Sequence, residues 1–343
     1  MMEKMMGLKT LLISLIFLIT ACTSENVDDL PLKLAGVNYL GDLPTLVASK
    51  NNLFEKNHLT INVSFTDSGK QNLDDLRAGK VDFALMSSTP FILDKLANAG
   101  NELSDNEPVI LGNLLHSTQV NQILTTQGRD IQTVNDLKGG KVGLAKGTNS
   151  EYLWWLYSVF YQVTPGSVEI IDLPVSELGE ALQNGEVDAI VVWQPWTNQF
   201  MQQYDGQLKQ VEGSHVYSAK WLLVTTREMV RDNPYYCQQI LKAYAQAINL
   251  IQTDTEKEML IYSEHANKDQ YADTNYQPGL HQLNLNWALI AELHQGIQWA
   301  KLHHFPGSDQ PTDVTSWFAP EPMQTIKPFL VKIPTVSSTE TLP

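Results

Sequence analysis

From residue 32 onward, short apolar runs alternate with longer segments whose apolar positions recur at helical spacing, the pattern of strand–helix–strand units. Strands are predicted at 34–39, 59–65, 83–86 and 109–115, with helices between them at 43–52, 72–78 and 90–99. Residues 120–126 read as a strand leading out of this first series. A second series follows, with strands at 141–145, 169–173, 188–193 and 208–211 and helices at 150–162, 176–183 and about 195–204. The apolar, β-branched stretch 219–226 reads as a strand returning to the first series. From 234 to about 302 the pattern is almost wholly helical: Leu241, Tyr244, Ile248 and Ile251 share one face, as do Trp287, Ile290, Leu293 and Ile297. Trp154, Trp155, Trp287, Trp299 and Trp317 are read as core. Past 318 the chain is rich in Pro, Ser and Thr, which predicts an extended tail at 319–343.

The two series share a repeated unit. Leu76, Gly79, Val81 and Asp82 align without a gap on Leu182, Gly185, Val187 and Asp188. In each copy a polar helix ends, a Gly supplies a left-handed cap, and an apolar strand follows the Asp and runs into a turn holding a Pro. The acids precede their strands, so they are expected to fix turns rather than act as a catalytic pair. The repeat predicts an α/β chain of two similar lobes facing each other across a cleft. The expected division is 32–123 and 225–318 for the first lobe and 124–224 for the second. Crossings near Leu124 and Val224 would form a two-stranded hinge.

Residues 1–22 are set apart from this body. Lys4 and Lys9 flank the start of an apolar run that ends in Ile19-Thr20-Ala21-Cys22, the form of a signal peptide and too short to span a bilayer comfortably. It looks like a bacterial lipoprotein signal, with Cys22 the lipidated first residue of the mature chain and 23–31 a polar tether. The net charge of −15 disfavours a nucleic-acid partner. With Cys22 modified only Cys237 remains, so neither an intrachain disulfide nor a Cys-based metal site is expected. The eight His show no convincing metal spacing, and neither a Walker loop nor a Gly-x-Ser-x-Gly elbow occurs. No cofactor is expected.

In open α/β lobes a ligand binds beyond the carboxyl ends of the strands, where loops and helix N-termini converge. Four loops meet that description: Tyr39, Gly41 and Asp42 after the first strand, Ser68 after the second, Ser87, Ser88 and Thr89 after the third, and Gly147, Thr148, Asn149 and Ser150 in the second series. The last group opens a helix, where free N–H groups and a partial positive charge suit an anion. Thr148 and Glu151 also have capping-box spacing, so that helix has the means to cap itself. Trp193 and Gln194 leave the repeat strand where a ring could wall the cleft and an amide could bind a solute.

These residues, taken in order, resemble a known group. Ala48 with Leu53-Phe54-Glu55-Lys56-Asn57, the run from Leu76 to Ser88, Val134 with Asp136-Leu137-Lys138-Gly139, the run from Val142 to Gly147, and the run from Gly185 to Trp196 are similar to periplasmic substrate-binding proteins of ABC importers. The group is the one that takes aliphatic sulfonates, taurine, nitrate and thiamine pyrimidines, and the resemblance covers roughly 33–300. It implies the periplasmic-binding-protein fold and a site built from Tyr39, Gly41 and Asp42, from Ser87, Ser88 and Thr89, and from Thr148, Asn149 and Ser150. Relatives that bind an amino group often carry an acid at the position of Gln194, so its neutral amide argues against a taurine-like zwitterion. Lys146 is read as the only cation near these loops, which argues against a bare, multiply charged anion.

The implied function is a monomeric, lipid-anchored extracytoplasmic protein. It would close on a small polar organic solute (sulfonate-, carboxylate- or pyrimidine-like) and hand it to an ABC permease in the cytoplasmic membrane. Two alternatives stay open: a solute sensor docking on a membrane receptor or kinase, and an enzyme on the same fold. Thiamine-pyrimidine synthases resemble the group but carry a Cys-rich motif that this chain lacks.

Overall fold

Twelve strands carry the architecture among the described residues: β1 Leu32–Val37, β2 Ile61–Thr66, β3 Phe83–Met86, β4 Pro108–Ser117, β5 Asn121–Thr126, β6 Lys141–Leu144, β7 Glu169–Asp172, β8 Ala189–Trp193, β9 Leu208–Gln210, β10 Ala219–Thr226, β11 His281–Asn286 and β12 Val331–Lys332. They build a seven-stranded sheet, ordered β12-β11-β4-β10-β3-β1-β2, and a five-stranded sheet, ordered β7-β6-β8-β5-β9. The computed structural model describes residues 31–100, 104–117, 120–164, 166–194, 196–212, 218–265 and 280–333. Cys22 and the leader lie outside the described residues, as do 23–30 of the tether and 334–343 of the tail.

The repeat is visible atom for atom. Gly79 and Gly185 take φ of 66° and 73°, the left-handed region that a residue with a Cβ rarely adopts. Asp82 then clasps Lys33 at the start of β1: its N–H donates to the Lys33 carbonyl at 2.9 Å and its Oδ2 accepts the Lys33 N–H at 2.7 Å. Asp188 does the same to Lys141 at the start of β6, at 2.8 and 2.6 Å. Even the third partner repeats: Thr225 Oγ1 donates to the Asp82 carbonyl and Thr125 Oγ1 to the Asp188 carbonyl, both at 2.7 Å. Each acid therefore ties two parallel strands together at their N-terminal ends, which leaves the opposite ends free for loops.

The helix Pro234–Thr253 starts on a Pro that needs no N–H partner and buries Leu241, Tyr244, Ile248 and Ile251. The helix Trp287–Leu302 buries Leu289, Ile290, Leu293 and Ile297, but Trp287 itself is 62% exposed rather than core. It is the first helical residue after the Asn286 cap, where the chain has not yet turned its side chains inward. Trp299 and Trp317 are fully buried, Trp154 is buried and Trp155 is half-buried.

Three further expectations are corrected. The segment 234–302 is not helical throughout: His281–Asn286 forms β11, with His281, Leu283 and Leu285 buried and exposed Gln282 and half-buried Asn284 alternating with them. Its period of two is short, and the long helical patterns on either side mask it. The tail is not extended from 319 onward, because Glu321–Ile326 is a helix, Pro328–Leu330 a 3-10 turn, and β12 pairs in parallel with β11. Pro322 and Pro328 open these helical turns instead of preventing them. The passages between the sheets also fall earlier than Leu124 and Val224. Leu124 pairs with Ile190 in the second sheet and Val224 with Ala84 and Ile110 in the first, so both sit well inside one sheet. Ser117 and Ala219 pair at the rim of the first sheet, and the chain leaves that sheet after the one and re-enters it at the other.

Candidate functional site

The carboxyl ends of β1, β3 and β8 and the loops after them surround one hollow between the two sheets. The first sheet contributes Val37 and Tyr39 from β1 and its loop, Ser68, Gly69 and Lys70 from the turn after β2, and Ser87 and Pro90 from the turn after β3. The second contributes Thr148, Asn149 and Trp193, and the two passages add Val120, Ala219, Lys220 and Trp221. The Ser87 and Thr148 turns therefore open onto the same space. That space is about 20 Å³, enough for about one water, so any organic solute requires the sheets to part. Tyr152 and Trp299 meet across the interface beside it, ring centroids 5.3 Å apart.

A larger groove of about 800 Å³ lies between the helices Asn149–Phe160 and Trp287–Leu302, lined by Trp154, Trp155 and Trp299. None of the loops after β1, β2 or β3 reaches it, and its walls are mainly apolar. Volume alone does not make it the site. Lys146 lines this groove and not the hollow, so it is not the cation near the converging loops. Lys70 and Lys220 are.

Asp42 is fully buried and does not line the hollow. Its Oδ2 accepts the Val37 N–H and its Oδ1 accepts the Trp221 indole N–H at 2.5 Å. Gly36 makes this approach feasible, since a Cβ there would stand 2.7 Å from Asp42 Oδ2. Trp221 in turn packs edge-on against Tyr39, centroids 4.8 Å apart, so Asp42 braces the aromatic wall of the hollow from behind. Burial pushes its pKa up to about 7, against the pull of those two hydrogen bonds. Gly41 also stands back from the hollow, beneath the Tyr39 ring, where a Cβ would clash.

Around Ser87 the helix Ser88–Ala97 begins. Ser87 makes no side-chain cap, so its hydroxyl stays available to the hollow. Ser88 Oγ turns away and donates to Glu292 at 2.5 Å. Thr89 is buried with its Oγ1 unpartnered. Ser68 caps its own helix, accepting the Gln71 N–H at 3.3 Å. The next residue, Gly69, is pressed onto Met86, where a Cβ would come within 2.7 Å of the backbone. Lys70 follows, pairs with Asp74 at 2.9 Å, and lays its stem over Gly147 of the second sheet.

On the second side, self-capping is real: Thr148 Oγ1 accepts the Ser150 N–H and donates to the Ala145 carbonyl. Glu151 takes the Gly147 N–H at 2.8 Å, so that amide is engaged. Gly147 has φ of 72°, which is why the turn needs a Gly. What remains for a solute is side-chain chemistry. Asn149 Nδ2 donates to Asn121 Oδ1 at 2.8 Å, and Asn121 Nδ2 and Ser150 Oγ are buried and unpartnered. Trp193 is buried and walls the space. Gln194 lies outside it and donates to Asn198 at 3.0 Å.

Lys70, Lys220 and Asn121 were not among the residues expected from the loops. Two carried a readable signal. Lys70 is a cation in the first turn of a helix, against the macrodipole. Lys220 is a lone charge in an otherwise apolar strand.

A family model described as the NMT1-like family matches residues 25–262, more than half of the chain. The chain belongs to that family. Among the relatives of this NMT1-like chain, the putative aliphatic sulfonates-binding protein of Bacillus subtilis is 26% identical over 281 residues, covering 80% of this chain and 82% of that protein. The crystal structure of the periplasmic aliphatic sulphonate binding protein SsuA from Escherichia coli superposes with a TM-score of 0.71 at 18% identity, covering 91% of this chain and 96% of that one. The fold is also that of an enzyme: the desulfurization enzyme DSZB matches with a TM-score of 0.61 at 13% identity, over 86% of this chain and 98% of that one. The NMT1-like chain therefore has the periplasmic-binding-protein fold.

Proposed function

We propose that the protein is an extracytoplasmic solute-binding component of an ABC-type importer that captures a small organic monoanion of the sulfonate class. Its mature form is a monomer tethered to the membrane through a lipid on Cys22. One observation supports the reading: both sheets line one small hollow with neutral polar residues. Ser87 comes from one side and Thr148 and Asn149 from the other, and Thr89 Oγ1, Asn121 Nδ2 and Ser150 Oγ, on chain neighbours of lining residues, are buried and unpartnered. Unsatisfied buried polar atoms cost stability, and an oxyanion that accepts from them recovers it on closure. Tyr39, Pro90, Trp193 and Trp221 offer apolar surface for a short carbon chain. Among the described residues no carboxylate lines the hollow, so an ammonium group on the solute would go unpaired there. The names of the relatives support the sulfonate class.

Function is then differential binding: the solute favours the closed arrangement, and release follows reopening at the permease. Cys237, the free thiol of the described residues, is fully buried with its pKa pushed up to about 12, which gives no support to thiol catalysis. Melting curves against short alkanesulfonates, carboxylates and pyrimidines test the reading. The expected result is a melting temperature that rises with alkanesulfonate concentration, by mass action on the native state, and by less with taurine at equal concentration. A panel that shifts nothing contradicts it. Recovery of the protein in the membrane fraction, and its loss from there on Cys22→Ser, tests the anchor.

A further inference from the structure

Glu292 stands one step behind the hollow, on the helix Trp287–Leu302. Its Oε2 lies 3.3 Å from Lys220 Nζ, and its Oε1 accepts the Ser88 hydroxyl at 2.5 Å. Lys220 is buried and lines the hollow, and Ser88 is the neighbour of Ser87, which also lines it. The other partners of the Lys220 ammonium are neutral: His116 Nδ1 at 3.1 Å and Ser218, through Oγ at 2.8 Å and its carbonyl at 3.3 Å. All its donors are thus engaged, and Lys220 acts on the hollow through its field rather than as a free hydrogen-bond donor.

We infer that Glu292 is a specificity-determining residue, which by cancelling the charge of Lys220 restricts the site to singly charged anions. The inference rests on the anion-binding reading above and deepens it. The charged side chains that line the hollow among the described residues are Lys70, already paired with Asp74 at the surface, and Lys220, paired with Glu292 behind it. Together they leave at most a modest positive field. A monoanion takes that up. A dianion of the same shape brings one more negative charge close to Glu292, in a space closed to water where repulsion is weakly screened. Two lysines on the wall would by themselves favour the dianion; Glu292 reverses the preference.

Titration calorimetry of the full chain with methanesulfonate and inorganic sulfate tests this, since both are tetrahedral sulfur oxyanions of similar size differing by one charge. The wild type is expected to bind methanesulfonate at least tenfold more tightly than sulfate. Glu292→Gln should narrow that gap by about tenfold, chiefly through tighter sulfate binding, and Glu292→Asp should restore it. A general structural defect would weaken both ligands instead of changing their ratio. Wild type that takes sulfate as well as methanesulfonate overturns the inference, as does a folded Glu292→Gln protein with an unchanged gap. If Glu292→Gln does not fold, the wild-type ratio decides alone. Wild type that binds neither anion overturns the underlying reading together with the inference.

Discussion

The second sheet, β7-β6-β8-β5-β9, is matched strand for strand and sense for sense by β2-β1-β3-β10-β4 in the first. Both use the same Gly–Asp junction and the same Thr hydroxyl to close it. Their contributions to the hollow nonetheless differ. The ionisable equipment (Lys70, Lys220, Glu292 and, buried behind Trp221, Asp42) comes from the first sheet and its helices, whereas the second supplies Thr148, Asn149 and Trp193. The shared scaffold makes the cleft, and on the function proposed above the difference between its halves would make one side a charge reader and the other a neutral clamp. The charged side is also the better buttressed, since β11 and β12 extend its sheet and the helix Pro234–Thr253 packs against it, while the helix Trp287–Leu302 reaches across to the second side through Trp299 and Tyr152.

The contrast is broken most forcefully at Lys220. Lys220→Met strands a buried Glu292 and should cost about 3–5 kcal/mol of stability, with loss of anion binding. Thr148→Ala on the neutral side removes one cap and should cost about 1 kcal/mol, with a modest loss of affinity. Chemical denaturation and calorimetry on both variants check the ordering, and equal effects would erase the distinction.

A pH series sharpens it next. Asp42 has its pKa pushed up to about 7 by burial, so between about pH 4 and 7 the native state holds more protons there than the unfolded chain, and stability falls as pH rises. Fully buried His281, whose Nε2 donates to the Leu40 carbonyl, has its pKa pushed down to about 4. Between about pH 4 and 6.5 it holds fewer protons than the unfolded chain, and stability rises with pH. The two slopes oppose each other in the wild type. Asp42→Asn should expose the His281 slope, so that the melting temperature climbs from pH 4 to 6.5. A profile as flat as the wild type would show that Asp42 is not held near 7.

The smallest effect separates the two copies of the junction. Asp188 also pairs with Arg129, whereas no ion pair is seen at Asp82 among the described residues. Asp188→Ala should therefore destabilise more than Asp82→Ala, by a few tenths of a kcal/mol up to about 1 kcal/mol, in denaturant melts.

Much of this was legible in the chain. The period of each strand and helix, and the matched Leu-Gly-Val-Asp pairs, gave two sheets and their loops because local pattern decides which face is buried. The hydroxyl loops at Ser87 and Thr148 were legible for the same reason: they follow apolar strands and open helices. Lys220 and Glu292 were not. They lie 72 residues apart, on a strand and a helix whose meeting depends on the chain returning from the second sheet, and no local pattern encodes that. That Asp42 stands behind the hollow's wall was not legible, because its partner Trp221 is 179 positions away. β11 was hidden by its own brevity between two long helices.

The most direct measurement of the central claim is a crystal structure of the protein grown with ethanesulfonate. The account predicts the sulfonate oxygens between the Ser87 hydroxyl and the Thr148–Asn149 turn, its carbon chain against Tyr39 and Trp221, and both sheets in contact with the one molecule. A sulfonate held by one sheet alone, or seated in the groove between Trp155 and Trp299, would contradict it.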